Sequence, residues 1–146
     1  MNRLTKFLRL NGRRQRLLLR TWLALNGTAV ALRLAPLSRI LSVFGTNSAP
    51  LLQSQGPAFS REEIIWTVRA AAALSWSPTC AVRALVAERL LRLHGHPAQF
   101  KVGVRPGDDF QAHAWVEDES GVLVGESERP YYALPDLSAS DLVTPS

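Results

Sequence analysis

Apolar positions first recur with helical spacing and later with strand spacing, and this change divides the chain. From Leu17 to Leu34, residues such as Leu17, Leu18, Trp22, Leu25, Ala29 and Leu32 spread around much of a helix, which predicts a helix buried against the domain or a partner. Arg20, Asn26, Gly27 and Arg33 interrupt it, so it falls short of the roughly 20 uninterrupted apolar residues of a membrane-spanning helix. Pro36 ends or kinks it, and Leu37 to Phe44 continues as a shorter apolar helix. Ser60-Arg61-Glu62-Glu63 has capping-box spacing and opens a helix carrying Ile64, Ile65, Val68, Ala71, Ala72 and Leu74, predicted to stop at Trp76 ahead of Pro78. The next helix starts around Cys80, lines Val82, Leu85, Val86, Arg89, Leu90 and Leu93 along its face, and stops at Gly95.

Beyond Gly95 the period becomes two. Phe100, Val102 and Val104 alternate with Gln99, Lys101 and Gly103, and Ala112, Ala114 and Val116 alternate with His113, Trp115 and Glu117. Arg105 to Asp109 is the turn or longer loop between these two strands. Asp118 to Gly121 reads as a turn and Val122 to Gly125 as the returning strand. A two-residue loop at Glu119-Ser120 and a four-residue loop from Asp118 to Gly121 give the same register. Both set Glu126 directly opposite His113, with Cβ atoms roughly 5 Å apart. Helices followed by a short antiparallel meander predict an α+β fold. The expected organisation is an N-terminal helical segment over 1–44, a linker rich in Gly, Ser, Asn, Pro and Gln over 45–57, and the main domain over 58–146. That domain ends in Tyr131, Tyr132, Leu134 and a polar tail predicted to be poorly ordered.

Charge is distributed unevenly. The net charge is +5, no acidic residue precedes Glu62, and residues 1–16 form a basic lead-in, helical or frayed. Nine carboxylates follow from Asp108 onward, against Arg129 alone. A basic arm of this kind suits an acidic peptide, a phospholipid surface, nucleic acid or plain solvent, and charge does not choose among them. A chain of 146 residues supports one domain with a modest core.

Cys80 is the single cysteine, so its thiol is inert packing, a metal ligand or a nucleophile. Ser77 can cap a helix and Pro78 suits its first position, which puts Cys80 in the first turn. There, unpaired N–H groups and the helix dipole favour thiolate over thiol. The proton partner must be His94, His96 or His113. His113 lies on a strand beside Trp115, with Glu126 opposite to orient one ring nitrogen and leave the other for Cys80, or Glu117 or Asp118 in that role if the register slips. His94-Gly95-His96 follows a helix end beside Gly and Pro, as loop histidines do, and no metal or other cofactor is expected. Gln111 and the Cys80 backbone N–H are candidate oxyanion donors. Trp76 and Trp115 either pack or line a substrate groove.

Ser-Pro-Thr-Cys opening a long helix, then Leu90 to Pro97, Phe100 to Val104 and His-Ala-Trp-Val-Glu, resembles the transglutaminase-like cysteine peptidases of lasso-peptide biosynthesis. That family includes the C-terminal domain of the microcin-processing protein, and the likeness is to its short form, in which peptidase and leader-recognition domain are separate chains. It covers about residues 60 to 137. The resemblance implies a papain-like transglutaminase core in a bacterial cytoplasmic protein that removes the leader from a ribosomally made precursor peptide. Cys80 would stand on the family's nucleophile and His113 on its base. The partners implied are the precursor, a separate leader-recognition protein and an ATP-dependent lasso cyclase. Family members often carry Asp about a dozen residues past the histidine; that place is Gly125 here, and the acid role passes to Glu126.

The apolar segment from Leu17 to Phe44 is expected to dock the leader-recognition partner or roof the peptide groove. One alternative is a non-catalytic peptide-binding scaffold on the same fold, which would tolerate Cys80→Ala. Another is a membrane-surface or nucleic-acid binder acting through the basic N-terminus and weakened by salt. Nucleic acid is not among the expected partners, and a membrane surface is the less favoured choice for that arm.

Overall fold

The computed structural model describes residues 3–36, 39, 58–76, 78–105, 111–126 and 132–133. The predicted helix from Leu37 to Phe44, the 45–57 linker, the Ser77 cap, the 106–110 loop and the tail after Ala133 lie outside the described residues, Arg39 apart. The elements run α1 (Arg3–Leu8), α2 (Gly12–Leu34), α3 (Arg61–Leu74), α4 (Cys80–Leu93), β1 (Gln99–Arg105), β2 (Gln111–Asp118), β3 (Gly121–Val124) and β4 (Tyr132–Ala133). The architecture is α+β, as expected.

Helix α2 starts where the Asn11 side chain accepts the Arg13 N–H at 2.8 Å, and it ends before Pro36 with Ala35 in extended conformation. It buries Leu17, Leu18, Thr21, Ala24, Leu25 and Thr28, one stripe at helical spacing. The buried Thr21 hydroxyl donates to the Leu17 carbonyl at 2.8 Å. This stripe packs on α3 and α4, so the N-terminal segment and the rest of the chain share one core. Leu19, Leu23 and Val30 face outward and remain exposed.

The capping box on α3 forms as predicted. Ser60 Oγ accepts the Glu63 N–H at 3.2 Å and Glu63 Oε2 accepts the Ser60 N–H at 3.0 Å. The helix stops at Leu74, two residues before the predicted end. Trp22 Nε1 donates to the Leu74 carbonyl at 3.2 Å, Asn26 Nδ2 donates to Ser75 Oγ at 3.2 Å, and Ser75 Oγ donates to the Ala71 carbonyl at 2.8 Å. Side chains of α2 and the helix's own serine therefore satisfy the last turn.

Helix α4 lies between the other helices and the sheet, with α2 and α3 on one side and β2, β1 and β3 on the other. That position explains its breadth of burial: Val82, Ala84, Leu85, Val86, Ala87, Leu90 and Leu91 are all removed from solvent. It ends in a Schellman motif. Gly95, at φ +78°, donates to the Arg92 carbonyl at 3.1 Å, and His96 N–H reaches the Leu91 carbonyl at 2.8 Å.

The sheet is antiparallel in the order β3-β2-β1-β4. β2 and β3 close through Glu119-Ser120 with Asp118 facing Gly121. Asp118 Oδ1 accepts the Ser120 N–H at 2.8 Å, and Arg61 pairs with Asp118 Oδ2 at 2.7 Å, which ties the turn to the start of α3. Glu117 then faces Val122, but the next pair is Val116 with Val124, so a bulge adds one residue to β3. β4, only two residues long, was too short for a periodic signal.

Candidate active site

Cys80 is the first residue of α4 and is half-buried. The cap is Thr79, whose hydroxyl accepts the Val82 N–H at 3.3 Å, so Pro78 precedes the cap instead of occupying the first helical turn. The correction leaves Cys80 in the first turn, among backbone N–H groups that have no intrahelical acceptor. Helix α4 packs against β2, the strand that carries His113.

His113 is half-buried. Its Nε2 lies 2.5 Å from the Gly125 carbonyl oxygen. A carbonyl only accepts, so Nε2 is the donor in this contact. Trp115, two residues along the same strand face, stacks on the ring at 6.1 Å between centroids and 21° between planes. Only 8% of Trp115 is exposed, and its indole N–H donates to Glu117 Oε2 at 2.8 Å. Trp115 therefore packs against the imidazole and offers little surface to a passing peptide.

The expected opposition of His113 and Glu126 does not form. The bulge between Val116 and Glu117 advances the register by one, and continuing it places Gly125 across from Trp115 and Glu126 across from Ala114. Glu126 instead meets Arg69 of α3 at 2.7 Å, and the same guanidinium lies 3.5 Å from the Leu123 carbonyl. Gln111 is exposed, faces Arg105 across the β1–β2 ladder and accepts from its guanidinium. Trp76 is 91% exposed in the segment between α3 and the Cys80 helix.

His94 and His96 have structural partners. The Phe59 N–H donates to His94 Nδ1 at 3.2 Å, and His96 Nε2 lies 2.7 Å from the Phe59 carbonyl. The Phe59 ring meets the His94 ring edge-on at 5.4 Å, and the Arg13 guanidinium sits 4.0 Å over the Phe59 ring. The two histidines thus clamp the backbone leading into α3. Burial, with the charges of His96 and Arg13 adding to it, holds His94 below its ordinary pKa. Among the described residues no group of three or more His, Cys, Asp or Glu could hold a metal ion, and no helix is long and apolar enough to cross a membrane.

The backbone partner of His113 was missed because a carbonyl has no residue-type signature. The available signal was Gly125 itself, occupying the place where an acid was sought. A family model described as "Transglutaminase-like superfamily" matches residues 22–135, from within α2 to just beyond β4. No curated protein and no solved structure matches the chain.

Proposed function

We propose, from the premise that the chain belongs to the transglutaminase-like superfamily, that it is a cysteine endopeptidase that removes the leader from a ribosomally made lasso-type precursor peptide. The observation that carries the reading is the contact of His113 Nε2 with the Gly125 carbonyl oxygen at 2.5 Å, which orients the ring on β2. Its strand packs against the helix that opens on Cys80.

In the first half-reaction His113 Nδ1 takes the proton of the Cys80 thiol, and the thiolate so formed adds to the carbonyl at the leader–core junction. The tetrahedral intermediate collapses to a thioester as His113 Nδ1–H delivers its proton to the departing amine. In the second half, His113 takes a proton from water as the water attacks the thioester, releasing the leader's new carboxylate and the thiol. On this reading the Cys80 backbone N–H donates to the oxyanion.

Leader recognition on this reading comes from a separate protein, and the freed core amine passes to an ATP-dependent lasso cyclase. The outward stripe of α2, with Leu19, Leu23 and Val30 beside Arg16 and Arg20, is the surface offered to the leader-recognition partner. Leu17, Leu18, Ala24 and Leu25 belong to the core, so this interface is tested by Leu23→Asp and not by deleting the helix. The peptidase activity is tested by incubating the chain with a lasso-type precursor and a leader-recognition protein. Cleavage should occur at the leader–core junction and vanish in Cys80→Ala and in His113→Ala. Undiminished cleavage by Cys80→Ala would remove the enzyme reading and leave a binding scaffold.

A further inference from the structure

We propose that the cleft where the α1–α2 turn meets the start of α3 binds an acidic peptide segment, with a carboxylate facing Arg9 and the neighbouring apolar side chain lying on Leu10, Phe59 and Trp66. The lining of this cleft includes neither Cys80 nor His113, and the inference does not depend on the peptidase reading.

Two adjoining hollows make the cleft. One, of about 310 Å³, is walled by Arg9, Arg13, Arg14 and Glu63. The other, of about 270 Å³, is walled by Leu17, Glu62, Glu63 and Trp66. Leu10, Arg14, Phe59 and Glu63 line both, so the two are continuous. Each is close to the lower end of the roughly 300–1,000 Å³ of ligand sites, room for a few groups of a peptide and not for a folded surface. Their chemistry differs. Among the described residues three arginines stand against one glutamate in the first hollow, a surplus of two positive charges, whereas the second is mainly apolar.

Contacts within the fold hold the walls in place. Glu63 Oε2 accepts the Ser60 N–H at 3.0 Å, and Glu63 Oε1 accepts from Arg14 Nε at 3.1 Å and Nη2 at 2.6 Å. The Ser60 N–H, and after it the Arg14 guanidinium, hold the Glu63 carboxyl below its ordinary pKa, so the partition between the hollows is a charged pair at neutral pH. The Arg13 guanidinium sits 4.0 Å over the Phe59 ring, which fixes a cation and the aromatic floor together. Gln15 Nε2 donates to the Leu8 carbonyl at 3.4 Å and so ties α1 to α2 across the turn that carries Arg9.

Charge and apolar surface together select the occupant. Glu62 and Glu63 border the apolar hollow and repel a run of phosphates or a dense anionic headgroup layer. A peptide carries one carboxylate and one apolar side chain on neighbouring residues, which complements a basic hollow beside an apolar one. The sequence adds a longer-range bias toward acidic partners at this end, since no acidic residue precedes Glu62.

The test is a titration of the full chain followed by amide and indole proton–nitrogen spectra. The probes are a blocked tetrapeptide, Leu-Phe-Glu-Leu, its Leu-Phe-Gln-Leu counterpart, phosphatidylglycerol vesicles and a short single-stranded DNA. The glutamate peptide should shift the signals of Arg9, Arg13 and the Trp66 indole with a millimolar Kd, and the glutamine peptide should bind about threefold more weakly, the scale of an exposed ion pair. Arg9→Gln should erase most of that difference, and Trp66→Ala should weaken both peptides about fivefold. Both side chains are exposed, so neither change should unfold the chain, and Arg9→Gln decides alone if Trp66→Ala does. Equal binding of the two peptides, or no shift at these residues with about ten millimolar peptide, would overturn the proposal. Shifts of the same residues by vesicles or DNA but not by the peptide would also overturn it, and would assign the cleft to a membrane surface or to nucleic acid.

Discussion

Acidification should loosen the clamp that His94 and His96 place on Phe59, and the loss can be sized from its hydrogen bonds. His94 is 8% exposed and accepts the Phe59 N–H through Nδ1 at 3.2 Å. Protonating the ring puts a hydrogen on that nitrogen, facing the N–H it should accept. The bond is lost and a buried backbone donor is left unpaired, at a cost of about 1–3 kcal/mol. The sign follows from linkage. Burial lowers the folded pKa of His94 below the ordinary value of 6.5, so its stabilising contribution is complete above pH 6.5. It disappears as the pH falls through 6.5 toward the lower folded value.

Carboxylates act mostly below this interval, since Glu63 and Asp118 are held under their ordinary values of 4.5 and 3.8 and only Glu88 is pushed up toward it. The Ser60 backbone N–H holds Glu63 low, the Ser120 hydroxyl holds Asp118 low, and burial pushes Glu88 up. The comparison that isolates the clamp is wild type against His94→Gln, which keeps an acceptor but does not titrate. A single group with an ordinary pKa of 6.5 can shift stability by at most about 1.4 kcal/mol between pH 7.5 and 5.5, so thermal melts over that range should show the wild type losing up to roughly 5 °C more than the variant. Parallel curves would refute the clamp as the source of the pH dependence.

Ser60→Ala removes one half of the capping box on α3 and should cost about 1 kcal/mol in urea unfolding, with an unchanged slope. Arg89 on α4 has its Nε and one terminal nitrogen buried without a hydrogen-bond partner among the described residues. Arg89→Met should therefore leave the melting temperature unchanged or raise it, as read by calorimetry.

Much of the fold was legible because its punctuation is local. The Ser60 capping box, the Gly95 stop and the alternation from Gln99 to Glu117 each work within a few residues, and each formed where the pattern put it. The early end of α3 could not be read the same way. It depends on Trp22 and Asn26, about fifty residues distant in sequence. The cap at Thr79 lay two residues from the expected Ser77, because both hydroxyls suit the role and the true start of the helix decides between them.

The placement of Cys80 at a helix start and of His113 on a strand was legible from local pattern. What was not legible is the effect of one inserted residue, which changes which side chain faces which. The hairpin keeps the expected register at Asp118 and Glu117, and the bulge then turns Glu126 away and brings a glycine carbonyl to His113.

The pH dependence of iodoacetamide alkylation at Cys80, in wild type and in His113→Ala, tests the central claim most directly. A thiol activated by His113 should alkylate rapidly well below pH 8 and slow at that pH when the imidazole is removed. A thiol that reacts only as the pH approaches ~8.5, the ordinary value for cysteine, at the same rate in both proteins, would contradict the pairing of Cys80 with His113 and the peptidase built on it.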